Sequence, residues 1–148
     1  MKLAIGCDHG GFQLKEAVRA YLEERHMEYE DFGAYSTDSV DYPLVAVKVA
    51  RAVTGGQADL GVLVCSTGIG ISIAANKVKG ARASVCTNEE CARLTRKDND
   101  SNILCMGGKV VDEETGLRIL EAYLAEDFAG GRHARRVGQI QQIENGEL

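Results

Sequence analysis

Short apolar runs alternate with longer amphipathic segments along almost the whole chain, and this alternation limits the folds it can adopt. Five runs have the character of β-strands: 3–7, 29–32, 61–65, 81–86 and 103–106. Between them, apolar residues recur at helical spacing, as in segments 12–24 and 113–124. Strands that alternate with helices pair in parallel through right-handed crossovers. The sequence therefore predicts one α/β domain over residues 1–148, a three-layer, doubly wound, Rossmann- or flavodoxin-like fold with a five-stranded parallel sheet.

An additional helix is predicted at the C-terminal end, over about residues 132–146. Val137, Ile140 and Ile143 form a narrow apolar seam along it. Because this helix follows the last strand and carries only a narrow apolar stripe, we expect it to pack on a partner subunit. A homodimer with a shared site is the resulting hypothesis, and a tetramer is left open.

Composition argues against several classes of protein. The chain carries 17 Lys and Arg against 22 Asp and Glu, a net charge of -5, so no nucleic-acid-binding surface is expected. Its apolar runs are too short to span a bilayer, so no membrane association is expected. Five cysteines without a CxxC pair indicate reduced thiols and predict a cytoplasmic protein. Only three His leave few candidates for a metal cage, so no metal site is predicted.

Parallel sheets of this class bind ligands beyond the carboxyl ends of their strands, where the winding reverses. In a flavodoxin-like strand order this point lies between the first and third strands. Segments 8–11 (Asp-His-Gly-Gly) and 65–70 (Cys-Ser-Thr-Gly-Ile-Gly) fall there, and their polar, glycine-rich character predicts a small-molecule site. Asp8 and His9 can shuttle protons between substrate oxygens, or they can simply cap the following helix.

Cys65 ends the clearest strand and precedes a glycine-rich turn into a helix. Backbone N–H groups at such a turn stabilise a thiolate, which can act as nucleophile or general base. The alternative is a small buried apolar residue. The turn can itself form an anion-binding nest, with the hydroxyls of Thr67 and Ser72 as further donors. It lacks the third glycine of a dinucleotide fingerprint and the lysine of a P-loop, which favours a small oxyanion over a nucleotide.

Segment 131–136, Gly-Arg-His-Ala-Arg-Arg, is the densest basic cluster of the acidic chain. Arg132 and Arg136 lie on one face of the predicted helix, near its N-terminus. Positive side chains there oppose the helix dipole, and a bound phosphate dianion would remove the conflict. A solvated charged face is the alternative interpretation.

Five segments carry longer motifs: 6–12 (GCDHGGF), 41–43 (DYP), 65–77 (CSTGIGISIAANK), 99–102 (NDSN) and 130–133 (GGRH). Together they resemble the ribose-5-phosphate isomerase B family, whose superfamily includes galactose-6-phosphate isomerase subunits. The resemblance covers essentially the whole chain in the right order. It implies a cofactor-independent aldose–ketose isomerase that acts as a dimer with sites built from both subunits. The implied reaction interconverts D-ribose 5-phosphate and D-ribulose 5-phosphate through an enediol(ate), a step of the pentose phosphate pathway.

The resemblance also implies roles for individual residues. Cys65 matches the base that moves a proton between C1 and C2, and Thr67 matches a group that holds the sugar oxygens. Arg132 and Arg136 match phosphate-binding arginines. The full set of implied substrate contacts is Asp8, His9, Ser66, Gly68, Ile69, Gly70, Ser72, Asn99, Lys109, Arg132, His133 and Arg136.

The chain departs from the family pattern at Asp98, where many members carry a His assigned to opening the furanose ring. Asp98 is expected to replace it as a catalytic base toward the ring hydroxyl, or another group opens the sugar. Alternatively the substrate has no such ring, as in a tetrose 4-phosphate, whose C4 oxygen is esterified. Allose 6-phosphate and galactose 6-phosphate are further alternative substrates. A non-enzymatic module that binds a phosphorylated metabolite is the alternative function.

Overall fold

Five strands and six helices build the chain, whose computed structural model describes residues 1–148. In chain order the elements are β1 (Lys2–Cys7), α1 (Phe12–Glu24), β2 (Glu28–Asp31), α2 (Tyr42–Thr54), β3 (Leu60–Cys65), α3 (Ile69–Ala75), β4 (Ala83–Val85), α4 (Glu89–Asn99), β5 (Ile103–Gly107), α5 (Glu113–Ala125) and α6 (Arg132–Glu144). A 3-10 turn, His9–Gly11, joins β1 to α1. The predicted α/β class and the C-terminal helix are confirmed, although the fourth strand is shorter than predicted.

The sheet is parallel throughout, with strand order β2-β1-β3-β5-β4. The assumption of a flavodoxin-like order was wrong for the last two strands, which are exchanged. Burial explains the exchange: every residue of β5 is buried, as an internal strand requires, whereas the three residues of β4 are partly exposed at the edge. The winding still reverses between β1 and β3, so the predicted ligand position is retained.

Two apolar layers cover the sheet. Helices α1, α4 and α5 pack on one face, and α2 and α3 pack on the other. Successive side chains of a strand point to opposite faces, so Val64 contributes to the first layer and Cys65 to the second. No helix is both long enough and apolar enough to cross a membrane.

The starts of the last three helices differ in their charge. In α4 the Asn88 side chain accepts the Cys91 N–H at 2.8 Å, and in α5 the Asp112 carboxylate accepts the Thr115 N–H at 2.8 Å. Both helices carry two acidic residues in the first turn, as the helix dipole favours. Helix α6 has no capping side chain, no acidic residue in its first turn and no buried residue. No contact or cap within the chain therefore explains why the first turn of α6 carries basic residues.

Candidate active site

Cys65 is the last residue of β3 and is 5% exposed. Its Sγ accepts the Gly68 N–H at 3.1 Å. A hydrogen bond donated to sulfur stabilises negative charge on it, which suits a base or nucleophile. The predicted placement of a sulfur against a main-chain amide is thus present at the carboxyl edge of the sheet.

The buried thiols elsewhere in the chain have a different environment. Burial raises the pKa of Cys7 and of Cys86 to about 12, and it raises the pKa of Cys105 well above its usual value. These thiols stay protonated at neutral pH. Among the buried cysteines, Cys65 alone accepts a main-chain N–H at its sulfur.

The loop that follows Cys65 is held rigidly against the end of β5. Gly68 has φ of 80°, and a Cβ added there would lie 2.8 Å from the Met106 carbonyl carbon. A Cβ on Gly107 would lie 2.6 Å from the carbonyl carbon of Thr67. Because neither position has room for a side chain, the two glycines bring the backbones close together and fix the Gly68 N–H.

The start of α3 forms the predicted nest only in part. The Ile69 N–H donates to Thr67 Oγ1 at 3.2 Å, and the Ser72 hydroxyl donates to the Ile69 carbonyl at 2.7 Å. The proton of Ser72 is therefore used inside the helix rather than toward a ligand. The N–H groups of Gly70 and Ile71 have no acceptor within the chain, so they are the free donors of this turn.

Asp8 and His9 lie beside this loop, at the end of β1. The Asp8 Oδ1 accepts the N–H groups of Gly10 and Gly11 at 2.9 and 3.2 Å, so the capping interpretation is correct for this oxygen. The His9 Nδ1 accepts the Val40 N–H at 3.3 Å. Asp8 and His9 border an open cleft of about 480 Å³, which places polar groups of both residues near a ligand-sized space.

Lys109 joins this cluster because the strand exchange places β5 next to β3. The Lys109 N–H, just after β5, donates to the Ser66 carbonyl at 3.0 Å, and the Gly108 N–H donates to the Cys65 carbonyl at 2.8 Å. The Ser66 side chain fills the space next to Gly10, where a Cβ would collide with its hydroxyl. We call the residues at this edge the Cys65 group: Asp8, His9, Ser66, Gly68, Ile69, Gly70, Ser72 and Lys109, together with Cys65 and Thr67.

The other predicted site residues form a second cluster, the Arg132 group: Asp98, Asn99, Arg132, His133 and Arg136. The first two end α4 and the last three lie at the start of α6. The His133 Nε2 lies 3.4 Å from Asp98 Oδ1. The Ala129 N–H donates to the Lys97 carbonyl at 2.9 Å and ties the segment before α6 to the end of α4.

The two groups lie at opposite edges of the sheet. Helix α4 runs back antiparallel to the strands, so it ends near the amino edge, where the Arg82 Nε before β4 donates to the Asp100 carbonyl at 2.8 Å. Cys65 ends β3 at the carboxyl edge. The six residues of β3 separate the edges by about 20 Å. One chain therefore does not bring all the predicted site residues together.

Tyr42 and Lys15 were missed as functional candidates. A Cβ on Gly70 would lie 2.9 Å from Tyr42 Cζ, so the Tyr42 ring covers the start of α3. Lys15 is 1% exposed, and its Nζ lies 2.6 Å from Asp31 Oδ2 and 2.8 Å from the Ala34 carbonyl. It anchors the loop that leads to Tyr42. The sequence did contain an indication of this role, because a lysine on the apolar face of α1 is typical of a buried ion pair.

No three His, Cys, Asp or Glu side chains are close enough together to hold a metal ion.

Comparison with known proteins identifies the family. The model of the ribose/galactose isomerase family matches residues 3–140. The chain is 49% identical to ribose-5-phosphate isomerase B of Escherichia coli (strain K12), over 97% of this chain and 96% of that protein. The structure of ribose-5-phosphate isomerase B of Clostridium thermocellum matches with a TM-score of 0.98 at 50% identity, covering 100% of both chains. That of the Mycoplasma genitalium enzyme with bound ribulose-5-phosphate matches with a TM-score of 0.93 at 36% identity, over 97% of this chain and 96% of that one. The chain is thus an isomerase and belongs to the ribose/galactose isomerase family.

Proposed function

We propose that this sugar-phosphate isomerase interconverts D-ribose 5-phosphate and D-ribulose 5-phosphate, with the Cys65 thiolate as the base. The observation that carries the proposal is the Cys65 Sγ, which lies at the carboxyl edge of the sheet 3.1 Å from the Gly68 N–H. The relatives named above are ribose-5-phosphate isomerases B, which supports the pentose phosphate as substrate. The five unpaired cysteines fit a reducing compartment such as the cytoplasm.

The proposed reaction moves one proton between neighbouring carbons. The Cys65 thiolate removes the proton from C2 of the open-chain aldose, and the electron pair of that bond forms the C1–C2 double bond. The carbonyl electrons move to O1, which gives an enediolate. The free N–H groups of Gly70 and Ile71 are donors of the kind that stabilise such an oxyanion. Proton transfer from O2 to O1 and return of the Cys65 proton to C1 complete the ketose.

The Arg132 group supplies the phosphate-binding half of the proposed site. Arg132 and Arg136 are four residues apart on α6, whose first turn contains no acidic residue to neutralise them. Two guanidinium groups on one helical face suit a phosphate dianion, which accepts forked hydrogen bonds. A bound phosphate would also match the positive end of the α6 dipole.

Because the two groups lie at opposite edges of one chain, the proposed site requires a second copy of the chain. Helix α6 has no buried residue, and Ile140 and Ile143 on it are 49% and 63% exposed. On α3, beside Cys65, Ile69 and Ile73 are 55% and 57% exposed. An antiparallel pair of chains that covers these residues can bring the Arg132 group of one chain to the Cys65 group of its partner. We therefore propose a homodimer with two shared sites.

A tetrose 4-phosphate is the second candidate substrate, and the identity of residue 98 favours it. Asp98 stands where a ring-opening His is common in the family, and a tetrose 4-phosphate cannot close a five-membered ring. Initial rates with four-, five- and six-carbon aldose phosphates at equal concentration distinguish the candidates. We expect the highest kcat/KM with ribose 5-phosphate. A higher kcat/KM with the tetrose phosphate would make the tetrose phosphate the preferred substrate instead.

The role of Cys65 is tested by replacing it. We expect Cys65→Ala to lose isomerisation by at least about a thousandfold, because a missing base removes the chemical step. Cys91→Ala is the matched control, since Cys91 is the one exposed thiol and lies on α4. Both variants should keep the far-UV circular dichroism spectrum of the unmodified protein. Full activity of Cys65→Ala would exclude the thiolate base.

A further inference from the structure

The polar contact between α4 and α6 points to a second acid–base device in the molecule. We infer that His133 carries the proton when the sugar ring opens, and that Asp98 is the positioning residue that orients its imidazole. The inference rests on the proposed function, since it concerns the same substrate. It replaces the expectation that Asp98 itself acts on the ring hydroxyl.

The contact is formed by two elements that are fixed relative to each other. The His133 Nε2 lies 3.4 Å from Asp98 Oδ1, and the two side chains are 17% and 33% exposed. Asp98 lies in the last turn of α4 and His133 in the first turn of α6. The hydrogen bond from the Ala129 N–H to the Lys97 carbonyl, at 2.9 Å, holds the chain between these turns. The two helix ends that carry these side chains are therefore tied to each other.

The partner of Nε2 decides what the other ring nitrogen can do. A carboxylate oxygen 3.4 Å from Nε2 attracts a proton on that nitrogen, so the contact favours the tautomer whose proton is on Nε2. Nδ1 then carries the lone pair and is the basic atom of the ring. A carboxylate placed behind an imidazole also stabilises the imidazolium that forms when Nδ1 takes up a proton. Asp98 thus acts through His133.

The position of His133 brings this base to the proposed substrate. On α6, Arg136 is three residues from His133 and four from Arg132, so the Arg136 side chain neighbours both of them on the helix surface. Asn99 follows Asp98 at the end of α4. A sugar phosphate whose phosphate binds the arginines can therefore place its sugar within reach of the imidazole.

The step that the inference assigns is balanced within the enzyme and its substrate. The furanose form of ribose 5-phosphate has a hydroxyl at C1 and the ring bond C1–O4. Nδ1 of His133 takes the proton of the C1 hydroxyl, and the C1–O1 carbonyl forms. The C1–O4 bond breaks, its electron pair goes to O4, and the imidazolium returns the proton to O4. His133 ends neutral, and one proton has moved from O1 to O4.

The two directions of the reaction depend differently on this step. Ribulose 5-phosphate has its carbonyl at C2 and its O5 esterified, so it cannot form a five-membered ring and stays open. Its conversion yields an open aldehyde that can close in solution without the enzyme. Consumption of ribose 5-phosphate needs ring opening, whereas consumption of ribulose 5-phosphate does not. The equilibrium constant fixes the ratio of the two kcat/KM values, so the ratio of the two kcat values, measured at saturating substrate, is the quantity that reports the step assigned to His133.

The experiment measures kcat in both directions for the unmodified protein and four variants. His133→Gln removes the base, and Asp98→Asn removes the positioning carboxylate. The double variant Asp98→His/His133→Gln moves the imidazole to the neighbouring position. Asp100→Asn is the matched control, because Asp100 lies beside the same helix end but pairs with Arg96 at 3.3 Å. Circular dichroism checks that each variant is folded.

We expect His133→Gln to lower the kcat for ribose 5-phosphate about a hundredfold more than the kcat for ribulose 5-phosphate. Asp98→Asn should lower the ratio in the same sense by about tenfold, and the double variant should regain at least about tenfold over His133→Gln. Asp100→Asn should leave the ratio unchanged. Equal losses in both directions for His133→Gln, or an unchanged ratio for Asp98→Asn, would overturn the inference. If the unmodified protein converts neither sugar, the proposed function fails first, and this inference fails with it.

Discussion

Gly68 allows the stereochemistry of the loop after Cys65 to be tested separately from the chemistry of the sulfur. Gly68 and Gly56 both have positive φ, of 80° and 82°. A Cβ on Gly68 meets the backbone of Met106 at 2.8 Å, whereas a Cβ on Gly56 meets nothing within 4 Å. Gly56→Ala therefore reports the conformational cost alone, and Gly68→Ala reports that cost plus the overlap.

The expected magnitudes follow from these two costs. A left-handed alanine costs about 1–2 kcal/mol at either position. The overlap with Met106 adds about 1–3 kcal/mol, which corresponds to about 2–12 °C in melting temperature for a domain of this size. Gly68→Ala also shifts the N–H that donates to Cys65 Sγ. Losing a hydrogen bond to a charged group costs about 1.5–3 kcal/mol, so kcat should fall about ten- to hundredfold.

Thermal unfolding and steady-state kinetics measure both effects. The two variants are compared at one protein concentration, because an associating protein has a concentration-dependent melting temperature. Gly56→Ala should keep the kcat of the unmodified protein. The reasoning is refuted if Gly68→Ala is no less stable than Gly56→Ala and also keeps its kcat.

Three further predictions concern other parts of the chain. Arg132→Ala or Arg136→Ala should raise KM about ten- to hundredfold with little change in kcat, because each guanidinium is proposed to bind the unreactive phosphate; an unchanged KM would contradict this. Lys15→Met should lower the free energy of unfolding in urea by about 3–5 kcal/mol, since it leaves Asp31 without its buried partner, and a loss below about 1 kcal/mol would argue against the pair. Burial raises the pKa of Cys86 from 9.0 to about 12, so between these pH values the folded chain keeps a proton that the unfolded chain releases. The free energy of unfolding should therefore fall between pH 9 and 12, by at most about 1.4 kcal/mol per pH unit from this group. Cys86→Ser should make that slope shallower, and an identical slope would contradict the assignment.

The parts of the fold that local patterns determine were predictable from the sequence. The continuous apolar run of β3 indicated a buried central strand, and apolar residues at helical spacing indicated α1 and α5. The order of β4 and β5 was not predictable in this way. It depends on which strand is buried on both faces, and both strands are short apolar runs in the sequence. Only packing between distant elements decides which one lies at the edge.

The candidate site was predictable as a set of residues but not as an arrangement. Cys65 and its glycine-rich loop are contiguous in the chain, so their proximity in space could be predicted from the sequence. The contact between Asp98 and His133 joins two helices that are distant in the chain, and no local pattern encodes it. Tyr42 was recognisable as part of a motif, but its contact with Gly70 depends on how α2 packs against α3. The sequence thus indicated which side chains have suitable chemistry, but not which distant residues they contact.

The most direct test of a site shared between two chains is complementation in a mixed dimer. Cys65→Ala and Arg132→Ala chains carrying different tags are produced together, and the mixed dimer is purified through both tags. Each parent homodimer has both sites damaged, whereas the mixed dimer keeps one site with an intact Cys65 group and an intact Arg132 group. We predict about half the kcat/KM of the unmodified protein per dimer, because one of two symmetric sites is restored. A mixed dimer no more active than its parents would show that the two groups do not meet across an interface.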